Sequence, residues 1–273
     1  MNSPAPLPLI LQPAELQPLL PGDDLLLISV CQQQVFSAAH IPDSVLIRPS
    51  ELVTTVGTAT GMLPSAEQLS DILSRAGLQA NSHVIAYDDE GGGWAGRLIW
   101  TLDVIGHRQC SFLNGGLVAW IRSGFPTQAG IADNAPTDFE AVINRQLVAD
   151  MDEIIDQIGD PNFIVWDARS AEEFDGSKIT ALRNGHIPGA VNLDWLALLD
   201  RDNDLRLRPL ADLERQLQAL GIGKGKNIVT HCQSHHRSGL SYLVGKALGL
   251  NIKAYDGSWS EWGNNPDTPI ETV

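Results

Sequence analysis

The chain carries one pattern twice, and this internal repeat constrains the fold of its 273 residues more than any other feature. Three landmarks return in the same order at nearly constant spacing: His40-Ile41-Pro42 as His186-Ile187-Pro188, Val84–Asp88 as Ile228–Cys232, and Asn114-Gly115-Gly116 as Asp256-Gly257-Ser258. A trio of this kind is not expected by chance, so the sequence predicts two homologous domains.

Within each copy, short apolar runs alternate with helical patterns. The run Phe163–Trp166 is typical of a buried parallel strand, and Asp150 with Glu153 predicts a helix start. Alternating strands and helices predict an α/β fold, with two tandem domains that each have a mostly parallel sheet flanked by helices. We place the first domain at residues 1–125, a polar linker at 126–147 and the second domain at 148–273.

The charge balance narrows the choice of partners. With 18 Lys and Arg against 33 Asp and Glu, the net charge is −15, which argues against nucleic acid and anionic membranes. No apolar run is long enough for a membrane span, and the first residues lack the basic start of a secretory signal. Three widely spaced cysteines do not form a disulfide framework, so we expect a reduced, cytoplasmic protein.

The carboxylates are unevenly distributed. None lies between Glu214 and Asp256, a gap of 41 residues that contains six Lys or Arg, three His and Cys232. We expect this segment to be the cationic part of an acidic protein and to receive an anion.

Cys232 lies where a predicted strand, Ile228–Thr230, leads through a short loop into a predicted helix. Ligands of open α/β sheets bind beyond the carboxyl ends of the strands, and a helix N-terminus there offers free N–H groups. Such surroundings lower the pKa of a thiol, which makes Cys232 the candidate nucleophile. Cys31 and Cys110 lack this context and are expected to be small buried apolar residues.

The spacing of the loop refines the chemistry. Cysteine phosphatases carry His-Cys-x5-Arg, whereas this chain has Cys232 and Arg237 separated by four residues, a smaller ring suited to one added sulfur atom. With the two His-Ile-Pro segments and Asp167-Ala168-Arg169, the loop Cys-Gln-Ser-His-His-Arg resembles tandem-domain rhodaneses over nearly the full length. It is most similar to bacterial rhodaneses with Cys-Gln-Thr-His-His-Arg. A cysteine phosphatase or arsenate reductase remains the rival interpretation.

The resemblance implies a thiosulfate sulfurtransferase that works by double displacement. Cys232 would take the outer sulfur of thiosulfate as a persulfide and pass it to cyanide or a thiol. The implied substrate-binding residues are Gln233, Ser234, His235, His236 and Arg237, with backbone N–H groups around the persulfide and Arg237 supplying positive charge. Asp167 and Arg169 are expected to form a structural pair.

The loop departs from two related patterns, because it has neither the arginine of mitochondrial-type enzymes nor the glycine of mercaptopyruvate enzymes after the cysteine. The natural donor therefore stays open between thiosulfate and 3-mercaptopyruvate. A persulfide carrier that serves a protein partner is a further alternative.

Asp88 occupies the place of Cys232 in the first copy. The run Asp88-Asp89-Glu90 offers no thiolate and would repel an anionic donor, so we expect an inert domain that forms one wall of the cleft. Replacing Asp88 with alanine should therefore leave turnover almost unchanged. We expect Trp195 to line the same cleft.

Cofactor and metal signals are weak. Cys232 and its neighbouring histidines lack a second ligand pair at zinc spacing, and Gly91-Gly92-Gly93 is not followed by the Lys-Ser/Thr of a nucleotide loop. We predict no cofactor and no metal.

Overall fold

Two five-stranded parallel sheets form the centres of the two halves in the computed structural model, which describes residues 7–22, 24–131 and 135–273. The strands of the first half are β1 (Ile10–Leu11), β2 (Leu25–Val30), β3 (Val45–Ile47), β4 (Thr54–Val56), β5 (Ala59–Met62), β6 (His83–Tyr87) and β7 (Cys110–Leu113). Those of the second half are β8 (Val148–Ala149), β9 (Phe163–Asp167), β10 (Val191–Asn192), β11 (Leu199–Asp200), β12 (Arg206–Leu207), β13 (Asn227–His231) and β14 (Asn251–Tyr255).

The two sheets have the same topology. The first has the order β1-β7-β6-β2-β3 and the second the order β8-β14-β13-β9-β10, so each strand has its counterpart at the same place. The predicted fold class, two α/β domains with parallel sheets, is confirmed.

Helices cover both sheets. The first half has α1 (Pro13–Leu16), α2 (Gln33–Ala38), α3 (Ala66–Arg75), α4 (Gly93–Val104) and α5 (Gly116–Arg122). The second has α6 (Met151–Gln157), α7 (Ala171–Asp175), α8 (Leu210–Ala219), α9 (Arg237–Ala247) and α10 (Ser258–Trp262). The Asp150 side chain accepts a hydrogen bond from the Glu153 N–H and so fixes the start of α6, as predicted. Every helix of the described residues is too short or too polar to cross a bilayer.

Residues 132–134 of the predicted linker, 126–147, lie outside the described residues, and the part that follows them lies against the first domain. The Ser74 hydroxyl donates a hydrogen bond to Phe139 O and accepts one from Phe139 N–H. In addition, Ala141 N–H donates to Ser70 Oγ, and Asn144 N–H donates to Val104 O. The chain therefore reaches the second domain along a fixed path rather than through a free tether.

The two halves meet where α4 crosses α9. Gly96 and Gly239 form the crossing point, because a Cβ on either residue would overlap the backbone of the other helix. At the far end of the same interface, Asp103 on α4 accepts hydrogen bonds from the Tyr242 hydroxyl at 2.9 Å and from Lys246 Nζ at 2.7 Å. This contact holds the first domain directly over the helix that follows the Cys232 loop.

Two small antiparallel hairpins, β4–β5 and β11–β12, are additions that the sequence patterns do not predict. Each reaches across to the other domain in an equivalent way. Leu63 N–H, just after β5, donates to Asp256 Oδ2 at 2.7 Å, and Leu207 N–H donates to Asn114 Oδ1 at 2.8 Å. The interface is therefore approximately two-fold symmetric, and each domain supports the strand-to-helix loop of the other.

Candidate active site

Cys232 follows β13 directly and begins a loop, residues 232–236, that leads into α9. Because β13 lies between β9 and β14 in the middle of a parallel sheet, this loop emerges at the carboxyl edge, where ligands of such sheets bind. Cys232 is only 1% exposed. The Cys232 side chain is therefore almost fully buried at this edge of the sheet.

The pKa of Cys232 is lower than that of an ordinary thiol. Burial alone would raise it, but the charge of Arg237 opposes this effect, together with hydrogen bonds from the hydroxyl and backbone of Ser238 and the charge of His236. Burial raises the pKa of Cys31 and Cys110 to about 11 in each case. Of the three cysteines, Cys232 is the one whose surroundings favour the reactive thiolate.

Ser258, the first residue of α10, holds the loop in place. Its Oγ accepts hydrogen bonds from Cys232 N–H at 3.4 Å and from His235 N–H at 3.0 Å, and it donates to Tyr255 O. Both His235 and Ser258 have left-handed backbones, with φ of +52° and +54°. The sequence gives Ser258 only as a landmark of the repeat. The sequence signal that could have identified this role is its counterpart in the first copy, Gly116, which has the same positive φ.

The side chains of two predicted binding residues are already occupied. Gln233 donates through Nε2 to Thr180 O. His235 is fully buried, with Nδ1 hydrogen-bonded to Ser238 Oγ at 2.7 Å and its ring edge-on to Trp100. These contacts fix both side chains within the loop, while Gln233 Oε1 and His235 Nε2 are buried without a hydrogen-bond partner.

The backbone of the loop is only partly free. His235 N–H is not available as predicted, because it donates to Ser258. In the described part of the chain, no acceptor is bonded to the N–H groups of Gln233, Ser234 or His236. Unpaired N–H groups just before a helix are suited to binding an anion.

Arg237 is paired rather than free. Its guanidinium donates two hydrogen bonds to the Glu173 carboxylate, at 2.6 and 2.9 Å. Burial opposes ionisation of Glu173, but the hydrogen bond and charge of Arg237 keep its pKa below the usual value. The bidentate geometry fixes the guanidinium beside the loop, and Glu173 is a site residue that sequence reasoning missed.

The carboxylate-free segment between Glu214 and Asp256 is not the open cationic region that we expected. Four of its six Lys and Arg, together with His236, are paired with carboxylates from outside the segment: Arg215 with Asp212, His236 with Glu90, Arg237 with Glu173, Lys246 with Asp103, and Lys253 with Glu153. Lys226 Nζ donates to Pro161 O instead. The expectation of an unpaired cationic segment is therefore wrong for these five residues, because three-dimensional packing supplies negative charges that the local sequence lacks. The groups beside Cys232 that are suited to an anion are the loop N–H groups and the nearby charges of Arg237 and His236.

Asp167 and Arg169 form the predicted structural pair below the loop. Arg169 donates through Nε to Asp167 Oδ1 and through its terminal nitrogen to Oδ2, and its guanidinium lies 4.2 Å from the centre of the Trp259 ring. His231, which precedes Cys232, is fully buried with Nε2 3.5 Å from Asp167 Oδ2. These groups fix the end of β13 and thus the backbone that carries Cys232.

The first domain contributes part of the site. Gly61 in β5 lies so close to the Ser234 carbonyl that no side chain would fit. His236, at the end of the loop, is hydrogen-bonded through Nε2 to Glu90 Oε1 and stacks on Trp94, with ring centres 4.4 Å apart. Trp195 of the second domain is 5.7 Å from the same ring and thus lines the cleft as predicted.

In the corresponding loop of the first domain, the backbone N–H groups bind the carboxylate of Asp88. Asp88 is fully buried, and its carboxylate accepts hydrogen bonds at 2.8–3.2 Å from five backbone N–H groups. The donors are Glu90, Gly91, Gly92, Trp94 and Ala95. Burial and the charge of Glu90 raise the pKa of Asp88 to about 6, against the effect of these donors.

The fold and the site define a two-domain α/β protein in which one of two equivalent loops contains a buried cysteine with a lowered pKa. The sequence matches the Rhodanese-like domain twice, over residues 12–123 and 150–265, and the chain therefore belongs to the rhodanese family. This is the family that the sequence resembles.

Relatives with assigned activities support the same chemistry. The chain is 42% identical to a thiosulfate sulfurtransferase of Azotobacter vinelandii, over 99% of this chain and 100% of the relative. It is 40% identical to one of Pseudomonas aeruginosa, over 97% of both chains. A crystal structure from Escherichia coli, described as a 3-mercaptopyruvate sulfotransferase, superimposes with a TM-score of 0.83 at 25% identity, over 93% of this chain and 99% of that one. The prediction of a rhodanese-type enzyme of sulfur transfer is confirmed.

The geometry at Asp88 adds a stability effect to the predicted Asp88→Ala variant. We expect this variant to lose about 3 kcal/mol of unfolding free energy, because buried N–H donors lose their acceptor. Loading of Cys232 by thiosulfate should stay nearly unchanged per folded molecule, since the contacts of Cys232 with Ser258 and Ser238 lie within the second domain. Urea unfolding and activity assays at a temperature where both proteins are folded would test this. A variant of normal stability, or an inactive but folded one, would contradict the expectation.

Proposed function

We propose that this enzyme takes sulfane sulfur from thiosulfate onto Cys232 and passes it to cyanide or a small thiol. The Cys232 thiolate attacks the outer sulfur of thiosulfate, the sulfur–sulfur bond breaks, and its electron pair leaves with sulfite. The enzyme then holds a Cys232 persulfide. Attack of the acceptor on the outer sulfur releases the Cys232 thiolate again, so no external oxidant or reductant is needed.

The observation that carries this proposal is the Asp88 carboxylate in the equivalent loop. Its oxygens lie two bonds beyond Cβ, and the outer sulfur of a cysteine persulfide also lies two bonds beyond Cβ. Five N–H donors meet an anion at that place in the first domain. By the symmetry of the repeat, the Cys232 loop is built to hold the terminal sulfur of a persulfide, and Cys232 itself is the nucleophile.

The surrounding residues would contribute backbone N–H groups and positive charge to the reaction. The free N–H groups of Gln233, Ser234 and His236 would bind the persulfide, together with Ser238 beside the sulfur. Arg237, held by Glu173, would stabilise the thiolate as it forms and as it leaves. His235 would act by keeping the loop in its left-handed turn. The loop thus corresponds to that of bacterial rhodaneses with Cys-Gln-Thr-His-His-Arg.

The partners are small molecules in this proposal. A sulfur donor and an acceptor suffice, with no nucleic acid and no membrane, and a protein thiol would serve as an acceptor by the same chemistry. The three cysteines are all free, which supports a reducing compartment, and we place the enzyme in the cytoplasm.

Mass spectrometry of the intact protein and of its cysteine peptides tests the proposal. After incubation with thiosulfate, we expect one added sulfur atom, confined to Cys232, because the pKa values of about 11 leave Cys31 and Cys110 un-ionised. A parallel incubation with 3-mercaptopyruvate decides between the two donors, since the better one loads Cys232 faster. Addition of cyanide should remove the sulfur as thiocyanate.

A phosphatase assay separates the rival enzyme class. The Cys-x4-Arg loop predicts negligible turnover of p-nitrophenyl phosphate. Phosphatase turnover without thiocyanate formation would overturn the proposal. A persulfide that forms but resists both cyanide and small thiols would instead indicate a carrier that serves a protein acceptor.

A further inference from the structure

His236 differs from the other histidines near Cys232 in being open to solvent. His231 and His235 are fully buried, and their Nε2 atoms are enclosed. The His236 side chain is 23% exposed and lies at the mouth of the site, where its charge lowers the pKa of Cys232. Only His236 can therefore meet a molecule that approaches the loop.

Three groups fix the His236 ring from outside the loop. Trp94 stacks on it with an angle of 18° between the planes, and Trp195 packs at an angle of 55°. Glu90, which belongs to the first domain, accepts a hydrogen bond at Nε2. The ring is thus held by one aromatic residue of each domain and by a carboxylate of the domain that lacks a nucleophile.

The contact with Glu90 decides which nitrogen of His236 carries the proton. A carboxylate accepts, so Nε2 carries the hydrogen, and the neutral ring has its lone pair on Nδ1. In the described part of the chain, no group is bonded to His236 Nδ1, and the atom is not enclosed. A carboxylate that orients an imidazole and leaves the other nitrogen free is the arrangement of a general base.

We propose that Glu90 and His236 form a carboxylate–imidazole pair that takes the proton from a thiol acceptor in the second half of the reaction. This inference rests on the proposed function. A thiol has a pKa of about 8.5 and must ionise to attack. His236 Nδ1 accepts the thiol proton, and the thiolate sulfur forms a bond to the outer sulfur of the Cys232 persulfide. The old sulfur–sulfur bond breaks with its electron pair on Cys232, and the proton passes to the terminal sulfur of the new persulfide. His236 acts directly on the acceptor, whereas Glu90 is a positioning residue.

The experiment separates proton removal from the rest of the cycle. Enzyme preloaded with sulfur by thiosulfate is mixed in single turnovers with 2-mercaptoethanol, which must lose a proton, or with sulfite, an acceptor that is already an anion. We expect Glu90→Gln to slow discharge to the thiol about 10-fold and His236→Gln about 100-fold, within the range for general bases. Discharge to sulfite and loading by thiosulfate should change less than about 2-fold in Glu90→Gln, because those steps move no proton through the pair.

Controls distinguish this role from domain packing. Glu153→Gln removes a similarly exposed carboxylate of α6, which is paired with Lys253 of β14 and does not contact the Cys232 loop, and should leave both rates unchanged. Glu90→Asp should restore part of the rate to the thiol. Glu90→Gln should add nothing in a His236→Gln background, because the two residues act as one unit.

Two results would overturn the inference. If Glu90→Gln slowed thiol and sulfite discharge equally, the contact would serve only to hold the domains together. If His236→Gln discharged to the thiol at the normal rate, no base would be present at this position. Failure of thiosulfate to load the unmodified enzyme would refute the proposed function itself, and the inference with it, and is recognised separately by mass.

Discussion

Replacement of Cys232 with serine is expected to reduce thiocyanate formation by about 10⁴-fold or more, the size of effect seen when an essential nucleophile is removed. A serine hydroxyl is not ionised near neutral pH and cannot form a persulfide. The fold should persist, because the hydroxyl is close in size to the thiol and the Ser238 groups beside it provide hydrogen-bond partners. Thiocyanate assays and urea unfolding give the two readings.

Cys110→Ala is the matched control for this variant. Cys110 is also buried, at 4% exposure, but it lies in β7 near Lys246, far along the chain from the loop. Loss of its sulfur should cost about 1 kcal/mol of stability at most and leave turnover intact. Substantial activity in Cys232→Ser, or its loss in Cys110→Ala, would show that the nucleophile is elsewhere.

The sequence predicts the parts of this molecule that local patterns encode. The repeat predicts two equal folds because equivalent apolar runs form equivalent strands, and the order of both sheets agrees with this. The place of Cys232 between a strand and a helix follows from the change of periodicity along the chain. The N-cap at Asp150 follows from a three-residue spacing.

Contacts between distant segments account for what the sequence leaves out. Glu173 and Arg237 are 64 positions apart, and Glu90 and His236 are 146 apart, so no local pattern joins either pair. For the same reason, the cations between Glu214 and Asp256 look unpaired in the sequence although other segments supply their carboxylates. The hairpin β4–β5 is exposed along much of its length and carries no strong periodic signal.

The first domain is best understood from these distant contacts. It has Asp88 at the position of Cys232 in an equivalent loop, and Asp88 satisfies N–H groups that would otherwise be buried without partners. The same loop places Glu90 and Trp94 against His236. If the proposed role of Glu90 and His236 holds, the first domain influences which acceptors the second domain serves.

The second large effect concerns the pair below the loop. Arg169→Met should destabilise the protein by about 3–5 kcal/mol, because it leaves Asp167 as a buried charge without its cation. Both side chains are fully buried, and Arg169 also donates to Gly185 O and packs on Trp259. The exposed ion pair between Arg215 and Asp212 serves as the control. In urea unfolding, Arg215→Ala should change stability by less than about 1 kcal/mol.

The pH dependence of the folding stability of Arg169→Met tests whether the ionised Asp167 side chain causes the loss of stability. Burial opposes ionisation of Asp167, but His231 and Arg169 keep its pKa below the usual value. In the unmodified protein, the pair therefore stabilises the fold above the unfolded pKa of about 3.9, and this stability is lost as the pH falls through the lower folded pKa. Without the Arg169 guanidinium, His231 remains but the hydrogen bonds and charge of Arg169 are lost, so the folded pKa rises and the variant should lose less stability on acidification than the unmodified protein.

The double variant Asp167→Leu with Arg169→Met tests whether the lost stability comes from the isolated charge. Removal of both charged groups should restore part of what Arg169→Met alone loses, because no uncompensated carboxylate remains in the interior. If the double variant were less stable than Arg169→Met by the full effect of Asp167→Leu alone, the two residues would act independently. The pair would then stabilise β13 through its packing and its contacts with Gly185 and Trp259 rather than through charge.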